Sequence, residues 1–299
     1  MLWLADAGLA AAVSNAGALG VISPLAGSEP HGDAVKNLSM QIDRVQSLTK
    51  KPFGVNLPLD LRDIDLIINL LLEKNVAIVV TAAGDPDLFT ELLKSSGIKV
   101  LHVVSCVKHA VKAEQAGVDA VIAEGVEAAA RNGTDELPLF SLIPQVADKV
   151  NIPVIAAGGI VDARGAAAAM LLGAKGVQMG TRFVATKECI AHPDYKNAIL
   201  KACDTDTIIT IRSLIPSRSL KNTEFTKQLI ELEKAGAAKE ELRSFMGHAA
   251  SRTAGLLGDI EHGEAYCGSS AGMINEILPA GEVIRRIVND WETAIKSIY

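Results

Sequence analysis

Aromatic side chains make up only 4% of the 299 residues: two Trp, three Tyr and six Phe. Hydrophobic residues are 49%, so the core must come from Ala, Val, Ile and Leu, as in a parallel sheet buried under helices. Cysteine is scarce too. Cys106, Cys189, Cys203 and Cys267 form no CxxC pair, which argues against a disulfide-stapled scaffold and for a reducing, cytoplasmic compartment. No apolar run reaches the ~18 residues of a membrane span. The opening MLWLADAGLAAAVSNAG has no basic start and contains Asp6 and Asn15, so it reads as a globular helix, not a signal peptide. The net charge is −6 and no basic stripe exists, against nucleic acid or an anionic membrane as partner. His31, His102, His109, His192, His248 and His262 show no metal-ligand spacing, and no metal site is expected.

What the chain does have is alternation. Short β-rich runs at 18–23, 52–57, 77–81, 98–104, 119–123, 153–157 and 176–179 lie between helical patterns at 6–15, 33–48, 63–74, 86–95, 106–116, 138–149 and 163–172. This predicts an α/β fold of parallel strands with right-handed crossovers. A (β/α)8 TIM barrel takes roughly 250 residues, so the length fits one such unit. Seven strands are read, not eight, and the chain opens on a helix. The expectation is an eight-stranded barrel whose first strand lies upstream of Met1. After Arg182 the alternation stops. Residues 205–270 are largely polar and helical, as in ELEKAGAAKEELRSF, and read as a helical insertion or lid after the last strand. Residues 1–204 and 271–299 then form the barrel domain, closed by an amphipathic helix at 279–296.

Two strand endings are rich in glycine. PVIAAGGIVDARG (153–165) ends a strand at Gly158 and Gly159, and GVQMGTRF (176–183) ends the next at Gly180 and Thr181. In parallel α/β architectures ligands bind at the carboxyl ends of strands. A bare backbone lets N–H groups approach an anion. Two such endings on consecutive final strands predict a phosphate cradle, where one alone would suit an ordinary tight turn. Other strand ends supply polar residues on the same face: Asn56 in FGVNLP, Thr81 and Gly84 in VTAAGDP, and Ser105. Each alone reads as a turn or cap residue. An amide such as Asn56 can both donate to and accept from a flavin edge.

The stretches LAAAVSNAGALGVI, FGVNLP, AGVDAVIAEGVEA, PVIAAGGI, GAKGVQMGTRF and GDIEHGE…CGSSAG, in that order, resemble the nitronate monooxygenase (2-nitropropane dioxygenase) family, which also contains FMN-dependent enoyl-ACP reductases. The resemblance covers nearly the whole chain. It implies a (β/α)8 barrel with non-covalent FMN. By it Gly158, Gly159, Gly180 and Thr181 hold the phosphate. Met1, Asn56, Thr81, Glu124, Gly125, Ala157, Gln178, Met179 and Ser270 complete the implied cofactor site. Ser269 stands where the family commonly has Gln.

The departure from the family lies in EGVEAAARNG. The family stretch reads Glu-x-Gly-Gly-His. Here Ala129 and Ala130 replace the glycines and Arg131 replaces the histidine. Arginine stays protonated and is no general base. It can bind a nitronate, carboxylate or phosphate oxygen. Arg131 is the candidate catalytic residue, and the expected reaction is oxidation of an anionic nitronate. The plain alternative has Arg131 facing solvent or paired with Glu124, Glu127 or Asp135. Two other functions stay open: an NAD(P)H-dependent enoyl-ACP reductase, with Arg212, Arg218 and Lys221 as a rim for an acidic carrier, and a flavin-binding protein without turnover. The expected partners are a small-molecule substrate with O2 or NAD(P)H, and a homodimer is open to it. His31 is a remote candidate proton donor, His102 reads as a satisfied strand residue, and Cys106 as a small buried one.

Overall fold

The computed structural model describes residues 1–296. Its strands are β1 (Gly20–Ile22), β2 (Phe53–Pro58), β3 (Ile78–Ala82), β4 (Lys99–Val104), β5 (Ala120–Glu124), the short β6 (Ala130–Arg131), β7 (Val154–Ala157) and β8 (Gly176–Gln178). All but β6 form one seven-stranded parallel sheet in the order β1-β2-β3-β4-β5-β7-β8. Among the described residues β1 and β8 do not pair with each other, so the barrel wall has an opening between them. Every strand and crossover helix read from the sequence is present, with ends shifted by a residue or two, except that the helix read at 86–95 begins at Thr90, after a 3-10 turn over Pro86–Leu88.

The crossover helices are α1 (Ala7–Asn15), α2 (Ala34–Leu48), α3 (Ile64–Glu73), α4 (Thr90–Ser95), α5 (Val107–Gln115), α6 (Leu139–Ala147) and α7 (Ala163–Leu171). Local chemistry sets their starts. The Asp6 and Asp33 carboxylates accept from Leu9 N at 3.0 Å and Lys36 N at 2.9 Å, capping α1 and α2. Asp162, the acid after the double glycine, accepts from the Arg164 and Gly165 N–H groups and caps α7. The helices bury Leu38, Ile42, Ile67, Leu71, Leu142 and Ile143 against Ile22, Val55, Leu57, Val79, Val100 and Val121. Apart from Phe53, the buried side chains of the layer between sheet and helices are aliphatic.

Beyond β8 come α8 (Thr181–Val184), α9 (Pro193–Lys201), β9 (Thr207–Thr210), β10 (Ser217–Leu220), α10 (Glu224–Lys234), α11 (Lys239–Met246), α12 (Ala250–Gly255) and α13 (Ala280–Lys296). Residues 205–270 are therefore not only helical. They contribute two strands that form an antiparallel sheet with the loop strand, in the order β6-β10-β9. TIIT and SRSL are too short and too polar to announce themselves as strands, and they exist through their partners. No helix among the described residues is long and apolar enough to cross a membrane.

Candidate active site

Side chains alternate across a strand, and the core contacts show which way each points. Phe53, Val55 and Leu57 of β2 face the helices, so Asn56 faces the barrel interior. By the same reasoning Glu124, Ala157 and Gln178 face inward, beside interior residues Val80, Ile122, Leu101 and Val103. Glu124, Ala157 and Gln178 stand level across three strands. Thr81 and Met179 do not join them. Thr81 shares the outer face with Val79, where its buried hydroxyl meets His102 Nδ1 at 2.7 Å and Leu101 O at 3.2 Å. Met179 packs into the sheet–helix layer.

The two glycine endings follow the paired strands β7 and β8. Gly158 has φ +108° and Gly159 φ +67°, a region that favours glycine. A Cβ on Gly158 would lie 2.9 Å from Gly125 O, and one on Gly159 would lie 3.0 Å from Glu127 Cβ and 3.4 Å from Ser270 Oγ. The late glycine motif closes the cluster. Gly268 N donates to Thr181 Oγ1 at 3.1 Å, and Ser269 N donates to Glu127 O at 3.0 Å. Met1 Cγ lies 4.0 Å from a Cβ on Gly180. Among the described residues, the N–H groups of Gly158, Gly159, Gly180 and Thr181 find no protein acceptor. Four free donors around a turn that only glycine fits can hold an anion.

Glu124 keeps partial exposure toward the barrel mouth. The protein packed around it still pushes its carboxyl up to about 7, against the pull of the Met1 ammonium. Glu127, two residues past Gly125, has a different task. Both its carboxylate oxygens accept from Leu139 N, at 2.9 and 3.0 Å, and cap α6.

Arg131 sits on β6, opposite Ser217, with its side chain 61% exposed. Its acidic neighbour is Asp60, at 3.7 Å, and not Glu124, Glu127 or Asp135. Asp60 follows β2, so Arg131 reaches from the β5 loop toward the β2 loop over the barrel mouth. Of the three cations read as a carrier rim, two are engaged. Arg212 pairs with Glu136 at 2.6 Å, and Arg218 donates to Val126 O and Thr207 Oγ1. His31 is exposed and meets His248 edge-on, with centroids 5.8 Å apart. Sequence reasoning missed Glu264, a buried carboxyl that accepts from Ser217 Oγ at 3.0 Å on the strand paired with Arg131. It sits in EHGEAYCG, where nothing marks it apart from its neighbours.

The sequence model of the nitronate monooxygenase family matches residues 1–66 and 65–290. The chain belongs to the nitronate monooxygenase family. Among its relatives, a probable nitronate monooxygenase of Staphylococcus saprophyticus is 35% identical, over 75% of this chain and 74% of that one. The (3aS,4S,5R,7aS)-5-hydroxy-7a-methyl-1-oxo-octahydro-1H-indene-4-carboxyl-CoA dehydrogenase of Rhodococcus jostii is 36% identical over 77% of this chain, which spans 63% of that relative's length. The structure of FabK from Thermotoga maritima superposes with a TM-score of 0.92 at 39% identity, covering 100% of this chain and 92% of that one. Family members of this kind are flavin oxidoreductases.

Proposed function

We propose that the protein is an FMN-dependent oxidoreductase that oxidises an anionic alkyl nitronate with O2. The observation that carries this reading is the convergence of Gly158, Gly159, Gly180 and Thr181, with free N–H groups, at the carboxyl ends of β7 and β8. These residues suit the FMN phosphate, and Gly125 and Ser270 border them. Asn56, Glu124, Ala157 and Gln178 face the interior where the ring system would lie. Bound there, FMN would take electrons from the substrate and return them to O2. Arg131 holds the negative oxygens of the substrate and, being always charged, removes no proton. A neutral nitroalkane must first lose a proton and is expected to react about 10²–10⁴-fold more slowly.

The same reading places the barrel domain at 1–204 and 271–299, the lid at 205–270, an eighth strand in the opening between β1 and β8, and the protein in the cytoplasm. The FabK likeness supports a second reading, a reductase that takes electrons from NAD(P)H. The engagement of Arg212 and Arg218 weakens it, since little of the expected rim is left for an acidic carrier.

The test is anaerobic absorbance of the FMN-loaded protein with a nitronate in one cuvette and NADH or NADPH in another. Bleaching by the nitronate alone is expected. Bleaching by the nicotinamide alone would overturn the reading in favour of the reductase, and bleaching by neither would leave a flavin-binding protein without turnover.

A further inference from the structure

The barrel mouth carries an ion pair that is loosely made. Arg131 Nη1 lies 3.7 Å from Asp60 Oδ2, with the two side chains 61% and 54% exposed. That is beyond hydrogen-bond reach, and among the described residues the guanidinium donates to no other protein group. Its N–H groups are left for water or a ligand. The neighbouring arginines are bound differently. Arg212 holds both Glu136 oxygens, at 2.6 and 3.1 Å, and Arg218 donates to Val126 O and Thr207 Oγ1. The looseness belongs to the side chains, because the backbone on both sides is tied down. Arg131 pairs with Ser217 on β10, and Asn132 N donates to Pro216 O at 2.7 Å. A Cβ on Gly133 would collide with the Ser105 side chain, so the loop is pressed onto the end of β4. Across the mouth, Leu59 N donates to Ala82 O at 2.8 Å and the Leu59 side chain packs in the sheet–helix layer. The alternation that turns Asn56 inward therefore runs on past the end of β2 and leaves Asp60 on the inward side.

We propose that Asp60 is an exchangeable counter-ion that sets the charge specificity of the site: it holds the Arg131 guanidinium over the barrel mouth in the free protein, and the oxygens of a nitronate or carboxylate take its place. This rests on the proposed function for the role of Arg131 and deepens it, by naming what the substrate displaces. The exchange is favourable on two counts. An exposed pair without a hydrogen bond contributes little. Two parallel N–H···O bonds from a guanidinium to a planar oxyanion are shorter and stronger. A neutral molecule offers no such exchange and leaves the Arg131–Asp60 pair in place. Asp60 is a specificity-determining residue and takes part in no bond-making step.

The test is calorimetric titration of the FMN-loaded protein with propionate, an unreactive carboxylate, at low ionic strength, where an exposed pair is least screened. Asp60→Asn keeps the shape of the side chain and removes the competing charge. Propionate affinity is expected to rise about three- to fivefold, the upper range for an exposed pair. Asp60→Glu keeps the charge and gains no affinity. A carboxylate that merely repelled anions at a distance would give the same gain whether or not Arg131 were present. Competition for the guanidinium predicts otherwise: Arg131→Gln binds propionate more weakly than wild type, and the double variant binds no tighter than Arg131→Gln. An affinity in Asp60→Asn within about 1.5-fold of wild type, a gain in Asp60→Glu, or an equal gain with and without Arg131 overturns the proposal. Propionate binding that tightens in Asp60→Asn only through Arg131, in a protein whose flavin no nitronate bleaches, would sink the proposed function and keep the exchange. A flavin bleached by nitronate with a half-saturation indifferent to Asp60→Asn would keep the function and sink the exchange.

Discussion

The barrel wall and residues 205–270 are held by different mixtures of apolar and polar contacts. Between sheet and helices the fully buried side chains are aliphatic, Ile22, Leu38, Ile42, Leu57, Ile67, Leu71, Leu142 and Ile143 among them. The later segment has a small apolar cluster of its own around Ile211, Phe225, Leu229 and Leu242. It is fastened to the barrel by a second apolar cluster, in which Leu220, Ala254, Ala265 and Cys267 meet Trp3, Leu4 and Leu9, and by polar contacts: Arg252 to Ser28 O and Glu29, Arg218 to Val126 O, and Arg212 to Glu136. The wall holds the free N–H groups of Gly158, Gly159, Gly180 and Thr181 at fixed positions. The later segment pairs β10 with the loop strand that carries Arg131.

The largest loss is expected where the wall is most aliphatic. Ile42 is 0% exposed, and Ile42→Ala should cost about 2–5 kcal/mol through lost burial and a cavity. Urea unfolding of the apoprotein measures this. A cost below about 1 kcal/mol would show that α2 packs loosely. His102 gives the next effect, through pH. Burial, aided by the charge of His109, pushes its pKa down from 6.5 to about 4. The folded state therefore disfavours the charged ring. This contribution to stability is fully present above pH 6.5 and is lost as pH falls toward 4. The loss should be on the order of 2–3 kcal/mol, and His102→Gln should flatten it in unfolding curves taken across that window.

The wall was legible because its code is local. Val-Ile-Leu runs, Asp caps and glycine endings each act within a few residues, and every strand of the main sheet could be read. The site was legible by halves. Gly158, Gly159, Gly180 and Thr181 announce themselves, since glycine at consecutive strand ends has few other uses. Thr81 and Met179 were misleading, because a strand end with a polar or sulfur side chain does not reveal which face it presents. The alternation of Val79 with Val80, and of Val177 with Gln178, was the available signal. The strands β9 and β10 and the Ser217–Glu264 contact were not legible. Their cause lies in pairings that span up to 88 residues (Arg218↔Ala130) and depend on the loop after β5.

The fastening of the later segment should give way separately from the wall. Arg252 is 8% exposed, with Nε donating to Ser28 O at 2.8 Å and Nη2 reaching Glu29 at 2.7 Å. Arg252→Met keeps the stem and loses both bonds, at a cost of about 1–3 kcal/mol. Hydrogen exchange should speed up in α12 and in the loop after β1, while amides of β2 to β5 keep their protection. Uniform loss of protection would show that the two regions unfold as one.

The smallest expected effect lies at the joint between them. Ala130 has φ +67°, and it stands where the family resemblance puts glycine. Asn132 Nδ2 donates to Ala128 O at 3.1 Å and Ala130 O at 2.9 Å, and holds the loop in this shape. A left-handed conformation costs a residue with a Cβ about 1–2 kcal/mol, and part of that gain on changing to glycine is offset by the freer unfolded chain. Ala130→Gly should therefore stabilise the protein by roughly 0.5–1 kcal/mol, read as a higher urea midpoint at unchanged slope. Because Ala130 pairs with Arg218, the gain should also appear as slower exchange in β6 and β10. A lower midpoint would mean that the alanine methyl makes contacts worth more than the strain, and that this loop has been rebuilt around Arg131.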